Sequence, residues 1–209
     1  MVWLALLLAA GAGWEKTGDE AGVTVWRREV PGSKFLAVKG TGVVDAPPRT
    51  VALVLLDDDR APEWVDSLAE ARVVRIVSAA EYIEYNRAAM PLIVSDRDFV
   101  NTVSMAVDAA SHAVVIRSVP TTDALAPPTK AVRGLLDATY LLEPIDGGKH
   151  TRLTVEIESD PKGWLPAWLV NFFQKDWARE TIEGIRKQCA KPDLKPPPEF
   201  AEFLGQIDF

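Results

Sequence analysis

The chain has 209 residues, 48% of them hydrophobic and 25% charged, which fits one globular domain rather than a disordered chain. A formal net charge of −7 without a clustered basic stripe excludes nucleic acid as a partner and long-range attraction to anionic lipid, though not local apolar insertion into a membrane. Cys189 is the only cysteine, so no intramolecular disulfide forms.

The chain opens on an apolar run from Val2 to Gly13. It is too short to span a bilayer, which takes ~20 residues, but matches the apolar region of a signal peptide. Ala10-Gly11-Ala12 offers a small-x-small cleavage site, although no Lys or Arg precedes the run. The run predicts a signal peptide over 1–13 and a periplasmic or secreted protein; a buried N-terminal helix is the competing reading.

Strand signals follow. Val23 to Arg27 and Phe35 to Val44 flank the turn Pro31-Gly32-Ser33, and Pro47-Pro48 opens a short helix over Arg49 to Leu56. Arg72 to Val77, Glu81 to Met90, Asp98 to Val107 and His112 to Ser118 read as strands, the last two as a hairpin. Thr139 to Leu142 and Arg152 to Glu158 flank Asp146-Gly147-Gly148, a hairpin turn. Leu153, Val155 and Ile157 alternate with polar residues, which predicts a sheet with one apolar and one wet face.

A long helix is predicted from Pro166 to Cys189. Its second half carries the stripe Ala178, Ile182, Ile185 and Cys189 at helical spacing. Its approach and first half, with Trp164, Leu165, Trp168, Leu169, Val170, Phe172 and Phe173, are apolar all round. Such a segment is buried on every side or touches something apolar that is not protein. Residues 191–209 read as a Pro-rich extended tail, leaving 14–190 as the domain. An apolar sheet face needs a cover, and the long helix is the only element large enough. The predicted fold class is therefore α+β, a helix-grip architecture with a curved antiparallel sheet wrapped around the C-terminal helix.

Catalytic and metal-binding patterns are sparse. His112 and His150 fall at turns, outside any zinc spacing, and no nucleophile elbow or phosphate loop occurs. Asp57-Asp58-Asp59 reads as a solvated acidic run. Ser95-Asp96-Arg97-Asp98 reads as a turn held by side-chain-to-backbone bonds and a local ion pair, so Arg97 and Asp98 are structural. No metal and no cofactor is expected.

Three blocks carry a family resemblance over about residues 14–189. Trp14-Glu15 with Gly22 to Arg28, Pro91 to Val100 (containing Arg97-Asp98-Phe99-Val100), and Asp160 to Asn171 resemble, in order, segments of the StAR-related lipid-transfer (START) domain. The resemblance implies an internal tunnel holding one lipid, with a gate at the loop before Arg97 and the start of the last helix. Trp64, Glu84, Met90, Phe99, Val103, Met105, Trp164, Leu165, Trp168, Leu169 and Phe172 are the candidate lipid-binding residues of cavity or gate, with Phe99, Val103 and Met105 sharing one face of their strand by alternation. Glu84 falls where some relatives carry a tunnel carboxylate, but Val103 stands where they carry its arginine. An unpaired buried carboxylate is costly, so Glu84 is protonated, partnered by a group such as Arg87 or Lys39, or outside the tunnel. The resemblance implies a non-catalytic monomer that carries a lipid (sterol, phospholipid or fatty-acid-like) and touches membrane surfaces transiently. The alternatives are a cavity enzyme, which needs an acid–base pair, and a lipid-sensing module that docks through its tail.

Overall fold

The computed structural model describes residues 13–90, 94–165 and 167–209, with side chains at all of these except 167–175. The predicted signal peptide therefore lies outside the described residues, apart from Gly13 at its end. Ten strands form one sheet: β1 (Glu15–Glu20), β2 (Val23–Glu29), β3 (Leu36–Val44), β4 (Leu68–Ser78), β5 (Glu81–Ala88), β6 (Arg97–Val107), β7 (Val114–Pro120), β8 (Val132–Arg133), β9 (Leu135–Ile145) and β10 (His150–Asp160). Their order is β1-β2-β3-β10-β9-β7-β6-β5-β4, antiparallel along this path, while the short β8 pairs parallel with β6.

Helix α1 (Pro48–Leu56) begins where the sequence asks for it, with Pro48 in the first turn where a missing N–H costs nothing. It buries Val51, Ala52, Val54 and Leu56. A 3₁₀ turn over Asp58–Glu63 follows. Helix α2 (Ala167–Cys189) lies across the concave face, with Ala178, Ile182 and Ile185 fully buried against the sheet. Burying each isoleucine is worth about 1.5–3 kcal/mol, so these anchors outweigh the helix's local propensities. The crossing is close because β3 offers Gly40: a Cβ there would sit 2.7 Å from the Ala178 Cβ.

Two expectations change. On β5 and β6 both sheet faces are covered, since Ile83, Tyr85 and Val100 form a second apolar cluster with Val74 and Ala126 on the outer side. That outer segment is tied down by Arg75 donating to Asp123 at 2.7 Å. Residues 191–209 do not extend away as a tail. Pro198–Phe200 and α3 (Ala201–Leu204) bring Phe200, Phe203, Leu204 and Ile207 into the main core.

Candidate functional site

The elements that close over the concave face leave a cavity of about 650 Å³. That volume falls within the range of small-molecule sites, ~300–1,000 Å³. Strands β5, β6, β7 and β9 form its floor, α2 and the 3₁₀ turn its roof. Alternate residues of a strand share a face, which is why Tyr82, Glu84, Asn86 and Ala88 all look inward from β5.

Of the residues singled out in the sequence, Trp64, Glu84, Met90, Phe99, Val103 and Leu165 line this cavity. Met105 does not: two positions beyond Val103 on the same strand, it is buried in the packed core past the end of the cavity. Trp164 points away and is 85% exposed, while its neighbour Leu165 is 4% exposed and packs with Phe35, Met90 and Val94 at one rim. The side chains of Trp168, Leu169 and Phe172 lie outside the described residues.

A polar chain crosses the floor. Asn101 Nδ2 donates to the Leu136 carbonyl at 2.9 Å and to Ser118 Oγ at 2.6 Å, and Ser118 Oγ donates to Glu84 Oε1 at 2.5 Å. The β5–β6 register sets Glu84 directly opposite Asn101. Burial pushes the Glu84 carboxyl up from its ordinary range, with hydrogen bonds from Ser118 and Asn86 pulling partly back. Its partner is thus the Ser118 hydroxyl rather than Arg87 or Lys39. Arg87 is engaged elsewhere, with Asp96 at 2.8 Å and Glu70 at 3.5 Å, and Lys39 sits over the rings of Trp14 and Trp26.

The sequence reading missed Asp58. Far from being solvated, it is 8% exposed and lines the cavity, its Oδ2 without a hydrogen-bond partner among the described residues. Burial, then the nearby charge of Glu84, raises its carboxyl well above the ordinary range. Asp58, Ala61 and Trp64 share the inward face because a 3₁₀ turn repeats every ~3 residues. That period was present in the sequence but masked by the run of three acids. Burial also raises the hydroxyls of Tyr82 and Tyr140, both facing the same space.

Arg97 and Asp98 are the first residues of β6, not a turn, and they do not pair with each other. Arg97 Nε donates to the Pro161 carbonyl at 2.9 Å and Nη2 to that of Lys162 at 3.2 Å, while Nη1 donates to Ser95. It thereby holds the loop into α2, where Lys162 and Gly163 both take positive φ. Fully buried Asp98 accepts two bonds from Arg133, at 3.1 and 2.8 Å. His112, just before β7, and His150, the first residue of β10, pair with Asp208 and Asp146, outside the cavity lining. No group of three or more His, Cys, Asp or Glu among the described residues is placed to hold a metal ion.

A curved antiparallel sheet closed by one C-terminal helix over an internal cavity is the helix-grip class. The family model described as the START domain matches residues 1–193, and the chain belongs to that family. It is 28% identical over 180 residues to an uncharacterized protein of Pseudomonas aeruginosa, covering 85% of this chain and 87% of that one. To mouse phosphatidylcholine transfer protein it is 24% identical over 183 residues, covering 86% of this chain and 85% of that one. The crystal structure of human STARD10 superposes with a TM-score of 0.80 at 25% identity, covering 91% of this chain and 78% of that one. A STAR-related lipid transfer protein from Xanthomonas axonopodis gives 0.77 at 24% identity, over 86% and 99% of the two chains, a likeness of fold.

Proposed function

We propose that this protein binds a single hydrophobic lipid in its cavity and carries or presents it between membranes, without catalysis. The observation that carries the reading is the cavity itself, walled by Leu55, Trp64, Phe99, Val103, Ile116 and Leu136, with Asp58, Glu84 and Ser118 among its polar groups. An apolar chamber with few convergent polar groups orients an apolar ligand by one end. The mouse relative named for phosphatidylcholine transfer supports carriage of a lipid.

The entrance in this reading lies where Leu165, Met90, Val94 and Phe35 meet, with exposed Trp164 beside it to touch a membrane surface transiently. No helix among the described residues is long and apolar enough to cross a membrane. Export rests on the Val2–Gly13 run. The opposing reading, an N-terminal helix belonging to the domain, is favoured by the family match, which starts at residue 1.

Native mass spectrometry of protein purified from its source tests both points. One lipid per chain is expected, on a polypeptide beginning near Gly13 or Trp14. Val103→Trp, with an unchanged circular-dichroism spectrum, should lose that lipid. Unchanged occupancy in the folded variant would remove this floor from the site, and an intact Met1 would remove export.

A further inference from the structure

Charge around the cavity is one-sided. Among the described residues its lining includes the carboxyls of Asp58, Asp66, Glu84, Asp176 and Glu180 but a single cation, Arg97. That guanidinium is already committed to the carbonyls of Pro161, Lys162 and Ser95. It holds a loop and has little left to offer an anion.

The free hydrogen-bonding capacity at the deep end is mostly of one kind. Asp58 Oδ2 and Asn101 Oδ1 are buried acceptors without a partner among the described residues. Asn101 lies outside the lining but donates to Ser118, which donates to Glu84, so it backs the polar part of the floor. Trp64 Nε1 is the one donor among the fully buried, unpartnered atoms of the described lining residues, a lining that the hydroxyls of Tyr82 and Tyr140 also join. Buried polar atoms are normally satisfied, and each exception asks for an explanation.

We infer that the cavity is specific for a lipid whose buried end donates hydrogen bonds, an alcohol or a protonated amine, and that it rejects an anionic end. The inference rests on the lipid-binding reading above and narrows it to a ligand class. A hydroxyl gives its proton to Asp58 Oδ2 and offers its oxygen to Trp64 Nε1, satisfying both. A protonated amine supplies the missing counter-charge: one carboxyl gives its proton to solvent on binding and becomes the ammonium's ion partner. A carboxylate or phosphate end finds no uncommitted cation among the described lining residues. It meets Asp58 and Glu84, with Asp57, Asp59 and Glu199 adding negative charge behind Asp58. In a medium of low dielectric such repulsion is weakly screened.

The test uses full-length protein stripped of co-purified lipid and three probes with the same chain: dodecanol, dodecylamine and dodecanoate. Calorimetric titration near neutral pH should show a donor end binding and dodecanoate at least about tenfold weaker, a difference of ~1.4 kcal/mol. Proton release, read as a dependence of binding heat on the buffer, accompanies the amine and not the alcohol, so the two sources are told apart. In Asp58→Asn and Glu84→Gln, isosteric and checked for fold by circular dichroism, dodecanoate gains and the gap narrows. Equal or tighter binding of dodecanoate by the unmodified protein overturns the inference, as does an unchanged gap in both folded variants. If none of the three probes binds, the lipid reading itself falls. If all bind alike, that reading stands and only the selectivity is lost.

Discussion

Asp58 and Glu84 lie inside the cavity without a counter-charge, and the cost of that placement is measurable as a function of pH. In the unfolded chain they ionise from their ordinary values, 3.8 and 4.5, whereas burial holds both protonated to higher pH in the fold. Between the ordinary and the raised values the unfolded state binds fewer protons, so stability falls as pH rises. Their contribution is complete below pH ~4 and erodes upward through that window. Partly buried acids such as Asp96, Asp108 and Asp123 are held low by hydrogen bonds and act in the opposite sense, in acid. They cancel in the difference between variant and unmodified protein. We therefore expect Asp58→Asn and Glu84→Gln each to gain stability relative to the unmodified chain as pH rises from about 4 to about 8, read as urea midpoints. Parallel profiles would mean that the carboxyls ionise as they do in the unfolded chain.

Helix α2 and the wall it presses against show what local sequence reveals and what it hides. The buried stripe Ala178, Ile182, Ile185 was legible because a 3.6-residue period survives any tertiary context. Strands β2, β3, β6 and β10 were legible by alternation. Strand β1 was not: all its residues are exposed or only partly buried, so no face imposes a pattern. Nor could the sequence say which glycines are contact points. At Gly184, midway along the second half of α2, a Cβ would come 2.6 Å from the Trp64 carbonyl oxygen. Helix propensity alone predicts that Gly184→Ala gains about 0.8–1.0 kcal/mol. Overpacking against a backbone oxygen costs about 1–3 kcal/mol, and that clash outweighs the gain in propensity. The expected result is a net loss of up to about 2 kcal/mol in denaturant unfolding. Because Trp64 walls the cavity, weaker lipid binding should accompany it. A stabilised variant with unaltered binding would show that the wall gives way freely.

On the scale of the molecule, the last nineteen residues close the structure behind the cavity. Their proline content pointed to an extended tail, yet Phe200, Phe203, Leu204 and Ile207 follow the i, i+3, i+4, i+7 spacing of one helical face. That signal spans only two turns and was outweighed by Pro196-Pro197-Pro198 just before it. All four side chains are at most 3% exposed, and Phe200 stacks on Tyr82 with ring centroids 4.7 Å apart. Tyr82 is itself part of the cavity floor, so the segment backs the site directly. Its end is fixed too: Arg49 N donates to the Phe209 carbonyl at 3.0 Å, and the Phe209 ring covers Gly148 where a Cβ would meet it at 2.2 Å. A docking tail should be removable at little cost to the fold, whereas this segment should not be. Four buried apolar side chains at about 1.5–3 kcal/mol each amount to ~6–12 kcal/mol, comparable with the whole stability of a domain, ~5–15 kcal/mol. A chain ending at Ala190 should therefore lose cooperative unfolding or fold only marginally. Phe200→Ala alone should cost about 3–5 kcal/mol and weaken lipid binding through Tyr82. Urea unfolding followed by fluorescence and by circular dichroism reads both. A truncated chain that unfolds cooperatively at nearly the full-length midpoint, and still holds its lipid, would return these residues to the role of a dispensable appendage.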